Sequence, residues 1–131
     1  MKRRTCLKTI LAATAATSAA GAADTAEHPI QLHVDLTVDP AKEQEMLTNF
    51  HKTFRPAAAK MPGFIDAKML KLRSTLAGTA PQGVNYRFAL TFKSEELRQK
   101  WVKSDVHQKV WPTIENTLKH KNYNVLLFDM A

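Results

Sequence analysis

The chain has 131 residues, 44% hydrophobic and 24% charged, which suits one small domain and is too short for two ordinary ones. Its formal charge of +7 includes Lys2, Arg3, Arg4 and Lys8; without them about +3 remains, on Lys and Arg scattered among Asp and Glu, which excludes a nucleic-acid interface built on a basic patch. The one cysteine is Cys6, so the chain beyond residue 22 has no disulfide, no thiolate catalysis and no Cys-based metal site.

Residues 1–22, MKRRTCLKTILAATAATSAAGA, begin with basic residues, continue as a mildly apolar Ala/Thr run and end on Ala20-Gly21-Ala22, an A-x-A pattern at which signal peptidase cuts. Arg3-Arg4 followed by Thr5, Cys6, Leu7 and Lys8 resembles the twin-arginine export signal, in which an apolar residue stands where Cys6 does. The run is too short and too rich in Thr to span a bilayer. Cys6 precedes it, whereas the acylated cysteine of a lipoprotein follows its apolar run. The expectation is a removed signal at 1–22, a flexible start of the mature chain at 23–29 and a folded domain at 30–131. The protein is then periplasmic or secreted, with no membrane anchor after cleavage.

Ile30, Leu32, Val34, Leu36 and Val38 alternate with Gln31, His33, Asp35 and Thr37, the period of two of a strand with one buried face. Asp39-Pro40 is a helix cap with proline at the first helical position. Met46, Leu47, Phe50, Phe54 and Ala57 recur at helical spacing and predict an amphipathic helix from 40 to about 60, stopped by Met61-Pro62-Gly63. A second strand is predicted from Phe64 to about Arg73, and 74–83 is a loop by composition. Val84, Tyr86, Phe88, Leu90 and Phe92 predict a third strand, with Arg87 and Lys93 on its other face. Ser94 caps a helix whose spacing persists to about Leu118, with a restart at Ser104-Asp105. Asn122 opens the last strand, YNVLLFD.

The order β-α-β-β-α-β with right-handed crossovers gives an α+β, ferredoxin-like fold: a four-stranded antiparallel sheet with both helices on one face. Ile65, Ala67, Met69, Ala89, Leu126 and Phe128 cannot all lie beneath the helices with their strand neighbours. A second copy is therefore expected on the other face, as a homodimer.

In WVKSDVHQKVW (101–111), Val106, Val110, Ile114 and Leu118 form a stripe four residues apart that should face the core. His107 and Trp111 form a parallel stripe about 100° away, at the boundary of the buried face. A boundary stripe serves equally as a cleft wall and as a resting place for amphipathic rings. Read plainly, His107 is a partly exposed helix histidine and Trp101 and Trp111 are core. Read functionally, His107 is an acid/base with a pKa near neutrality and the tryptophans are walls that stack on a flat ligand.

Two segments, FHKTFRPAAAKMPGF (50–64) and YRFALTFKSEELRQKWVKSDVHQKV (86–110), resemble the antibiotic-biosynthesis-monooxygenase (ABM) type of dimeric α+β barrel proteins, and the likeness covers about residues 30–130. The resemblance implies two sheets paired into a barrel and a pocket between sheet and helices in each subunit. Several such proteins oxidise aromatic or quinol-like substrates with O2 and no metal or flavin; others degrade haem, isomerise small metabolites or have no known activity. On that reading His107, in the SD-x-H position, is the catalytic acid/base, and Trp101 and Trp111 bind substrate with Phe50, Phe54 and Phe92 completing the lining. His33 and Asp35, on the outward face of the first strand, either point into the barrel or are solvated or interface groups, and Arg87 pairs with Asp35 or holds an anionic substrate. No cofactor is expected, and the ligand is small and apolar or aromatic.

The stretch W-x-x-S-D-V also resembles the haem-degrading branch. That branch puts its haem-ligating histidine ten residues after the tryptophan, where Trp111 stands here, and an asparagine on the first strand, where Val34 stands. Haem is thus the weaker alternative. No two histidines and a carboxylate fall at ligand spacing on one element, so no metal is expected. A dimer that binds a small ligand without chemistry is the competing function.

Overall fold

The computed structural model describes residues 28–131; the expected signal and most of the loose start lie outside them. Four strands, β1 (Ile30–Leu36), β2 (Phe64–Lys71), β3 (Tyr86–Phe92) and β4 (Asn124–Asp129), form one antiparallel sheet in the order β2-β3-β1-β4. The fold is ferredoxin-like. Each strand is shorter than its alternation suggested. Val38 leaves β1 for a bridge to Leu118, and Asn85, before β3, uses its side chain to bond both backbone groups of Val38.

The first crossover is not one regular helix. Asp39 caps a 3-10 turn at Pro40–Lys42 by accepting from the Ala41 N–H, and α1 (Glu43–Asn49) follows. A π segment, Phe50–Phe54, then leads into α2 (Arg55–Ala59). Pro56 supplies the reason: it has no N–H for the Lys52 carbonyl, and its ring would collide with that group. The chain widens just before it, and the Arg55 N–H reaches back five residues to Phe50 O. Such π turns often mark functional sites. Arg55 bonds Ala67 O and the Asp66 carboxylate at 3.0 Å each, tying this helix to β2.

The turn into β2 depends on Gly63, at φ +88°, where an added Cβ would lie 2.4 Å from Leu97 Cδ1 and 2.9 Å from its Cβ. Left-handed backbone costs a non-glycine residue about 1–2 kcal/mol before any overlap. Gly63→Ala is expected to lower stability by about 2 kcal/mol, read as a lower denaturation midpoint at unchanged slope.

The second crossover breaks at Ser104, which ends α3 (Glu95–Lys103) and starts α4 (Asp105–Glu115). Its hydroxyl donates to Trp101 O at 2.7 Å and accepts from the His107 N–H at 3.2 Å. The restart corrects one expectation: Val106, in the first turn after the break, is 44% exposed, and the buried stripe begins at Val110 and continues at Ile114.

Directly paired residues share a face, so the register sorts the sheet. Leu32, Val34, Phe88, Leu90 and Val125 lie toward the helices and Gln31, His33, Asp35, Arg87, Ala89 and Phe128 on the open face. The core between sheet and helices is centred on Leu36, Met46, Phe50, Phe54, Phe92, Trp101 and Ile114, all essentially inaccessible to water. On the open face Asp35 is 3% exposed, capped by a bidentate pair with Arg87 at 2.7 and 3.2 Å. The edge strand β4 is exposed and apolar on both sides, Val125 and Leu127 on one and Leu126 and Phe128 on the other.

Candidate functional site

Between the sheet and the bend at Ser104 lies a cavity of about 210 Å³. Leu32, Val34, Phe88, Leu90 and Val125 form its floor, and Phe54, Trp101, Val102, His107 and Trp111 its roof, with Arg98 and Tyr123 at the sides. The bend explains the convergence. A straight helix would put Trp101 and His107 on different faces, six residues apart. Broken at Ser104, the chain brings their rings edge to face, 5.1 Å between centroids at 87°. His107 and Trp111, one turn apart on α4, lie within 9° of parallel at 6.3 Å.

The imidazole is the chemically open group. His107 Nδ1 is buried without a hydrogen-bond partner among the described residues. With Nδ1 packed away, Nε2 is the nitrogen left to meet a ligand; to accept a proton there, Nδ1 must carry the ring hydrogen. Burial, and secondarily the Arg98 guanidinium, push the pKa of His107 below the ordinary 6.5, so the ring is neutral at neutral pH. In the window between 6.5 and that lower value the unfolded chain binds a proton that the folded chain refuses. Stability therefore falls as pH drops through the window and levels off below it. His107→Gln is expected to flatten that part of a stability–pH curve, measured by urea unfolding at successive pH values.

The other polar groups are largely committed. Arg98 gives Nε and Nη2 to the Glu95 carboxylate at 2.6 Å each, and among the described residues nothing bonds its Nη1. Trp111 Nε1 donates to the Tyr123 hydroxyl at 3.2 Å, and that hydroxyl donates to Glu115 at 2.7 Å. Burial and then Glu115 raise the Tyr123 pKa, so Tyr123 holds the wall and does not exchange protons near neutral pH.

Of the residues singled out from sequence, His107, Trp101, Trp111 and Phe54 meet at the cavity. Phe50 stands behind it, stacked on Phe54 at 6.1 Å, and Phe92 lies toward the far end of β3 against Phe64; neither lines the cavity. His33, Asp35 and Arg87 are on the opposite side of the sheet, so they form no common site with His107. There His33 Nε2 pairs with Gln31 Oε1 at 2.7 Å, and its ring lies 4.9 Å from Phe128. Arg98 and Tyr123 were missed. A larger hollow, about 540 Å³, lies on that open face between Arg87, Asp35 and the 72–84 loop. It is a less convincing site because its carboxylate is already paired and its loop wall, with Leu76 at the tip, is mostly exposed.

The residues around the smaller cavity do not fit haem. The expected ligand position is Trp111, whose indole has no lone pair to give a metal and whose N–H is bonded to Tyr123, and Val34 stands where that branch has asparagine. Among the described residues no three His, Cys, Asp or Glu come together as a metal site.

Neither a protein-family model nor a curated protein matches the sequence. Solved structures do. One, from Caulobacter crescentus and provisionally named an antibiotic biosynthesis monooxygenase, is 19% identical over 80% of this chain and 92% of its own, with a TM-score of 0.63. SnoaB from Streptomyces nogalater, described as a cofactor-independent oxygenase, is 15% identical over 79% and 93%, with a TM-score of 0.62. A dimeric ferredoxin-like protein of unknown function from Jannaschia is 14% identical over 79% and 98%, also with a TM-score of 0.62. What they share with this chain is the fold.

Proposed function

We propose that this protein is an exported, homodimeric, cofactor-independent oxygenase of the ABM type, acting on a phenolic or quinol-like small molecule beside His107. The observation that carries the reading is the neutral His107 imidazole, unpartnered in the wall of an apolar cavity. The fold shared with SnoaB supports it, and the two-sided apolar edge strand β4 supports pairing with a second copy. Export rests on the sequence of residues 1–22 alone.

The chemistry balances with O2 as co-reactant. His107 takes the phenolic proton, and the anion gives one electron to O2. The resulting radical and superoxide join at a ring carbon that bears hydrogen, and the imidazolium protonates the outer oxygen. That carbon then loses its proton to His107, the O–O bond breaks, and hydroxide leaves as water with the returned proton. One phenol and one O2 become one quinone and one water. Deprotonation is the step a neutral imidazole can accelerate.

One observation favours a second reading, a binding protein without chemistry: among the described residues no carboxylate or carbonyl orients His107 through Nδ1, as a general base is usually oriented. Oxygen uptake separates the two. The oxygenase is expected to consume one O2 per phenol without releasing hydrogen peroxide; saturable binding with no uptake above background leaves the binding protein.

A further inference from the structure

We infer that the cavity takes a single-ring phenol or hydroquinone, with its hydroxyl at the His107–Arg98 end and an uncharged remainder, in preference to fused three-ring phenols. The inference rests on the functional reading above and adds the size and polarity of the ligand. Volume carries the first part. An apolar cavity of about 150 Å³ holds benzene; about 210 Å³, partly open to solvent, encloses one ring with small substituents, and the outer rings of a three-ring phenol would lie beyond its apolar walls.

The walls keep the cavity near that size. Phe54, Phe88, Leu90 and Trp101 are fully packed, with Phe54 5.2 Å from Phe88 and 5.7 Å from Trp101, so no one ring moves without the others. Trp111 is pinned through Tyr123 to Glu115. The soft side is β4, where Val125 is 53% exposed.

Polarity carries the second part. Among the described residues, capacity for a new hydrogen bond lies at His107 and at Nη1 of Arg98. The floor of Leu32, Val34, Phe88 and Val125 offers no side-chain partner, so a carboxylate pointing that way would be desolvated without compensation.

The test uses methylhydroquinone, 1,4-dihydroxynaphthalene and 1,8-dihydroxyanthrone with the wild-type protein, measuring anaerobic affinity by calorimetry and oxygen uptake separately. Affinity is expected to fall by tenfold or more from the one-ring to the three-ring compound. Val125→Ala, which widens the cavity on its β4 side, is expected to shift preference toward two rings, with size-exclusion chromatography run beside it to show that the variant keeps the wild-type oligomeric state. Equal or tighter binding of the three-ring compound overturns the inference, as does no binding of the one-ring compound. The one-ring preference without oxygen uptake upholds the inference and overturns the oxygenase reading instead.

Discussion

Replacing His107 with alanine is expected to lower turnover of a single-ring phenol about 10²-fold or more, the usual contribution of a positioned general base. The loss should fall on kcat. Most of the wall that holds the ring is made by other side chains, so KM should change by less, by the one contact that His107 makes with the hydroxyl. The wild-type rate should rise with pH through the depressed pKa of His107 and stay level above it, because the neutral ring is the reactive form. His107→Ala should lose that limb as well as the rate. A variant that keeps the wild-type rate and pH profile would remove His107 from the chemistry.

Phe54→Ala is expected to cost about 3–5 kcal/mol, the range for truncating a buried phenylalanine. The side chain is 1% exposed and its ring meets Phe50, Phe88, Trp101, His107 and Trp111. It is the point at which π segment, sheet and both halves of the broken helix touch. A small domain has about 5–15 kcal/mol in all, so this one truncation should bring the protein close to half-unfolding under mild conditions. Guanidinium unfolding reads the loss directly. A change under about 1 kcal/mol would mean that neighbouring side chains close over the gap, and that the roof of the cavity is not rigid.

The parts of the fold set by periodicity were legible. Alternation at 30–38 and 84–92 placed the two central strands, and Ser104-Asp105, two capping residues in succession, marked the restart that aims Trp101 and His107 at one space. The π segment was hidden because Phe50 and Phe54 keep a spacing that suits an α-helix; Pro56 was its one sign. Val106 was misassigned because a stripe of four was carried through a break that resets it.

The site was less legible for a spatial reason. Strand parity put His33, Asp35 and Arg87 on the side away from Leu32, Val34 and Phe88, where the register has them, and the pairing of Arg87 with Asp35 was one of the two readings open to that arginine. Arg98 reads as one half of an i,i+3 pair with Glu95, and only the bend sets it beside His107. Tyr123 precedes β4 and meets Trp111 across the fold, a contact that no local pattern encodes.

The most direct test of the central claim is an NMR titration of the protein, labelled with 15N at histidine, with a single-ring phenol at pH 7 in the absence of oxygen. The expected spectrum shows a neutral His107 with its hydrogen on Nδ1, and the Nε2 resonance moves as the phenol binds while His33 stays in place. Movement of His33 with His107 unchanged would put the ligand on the open face of the sheet and contradict the account.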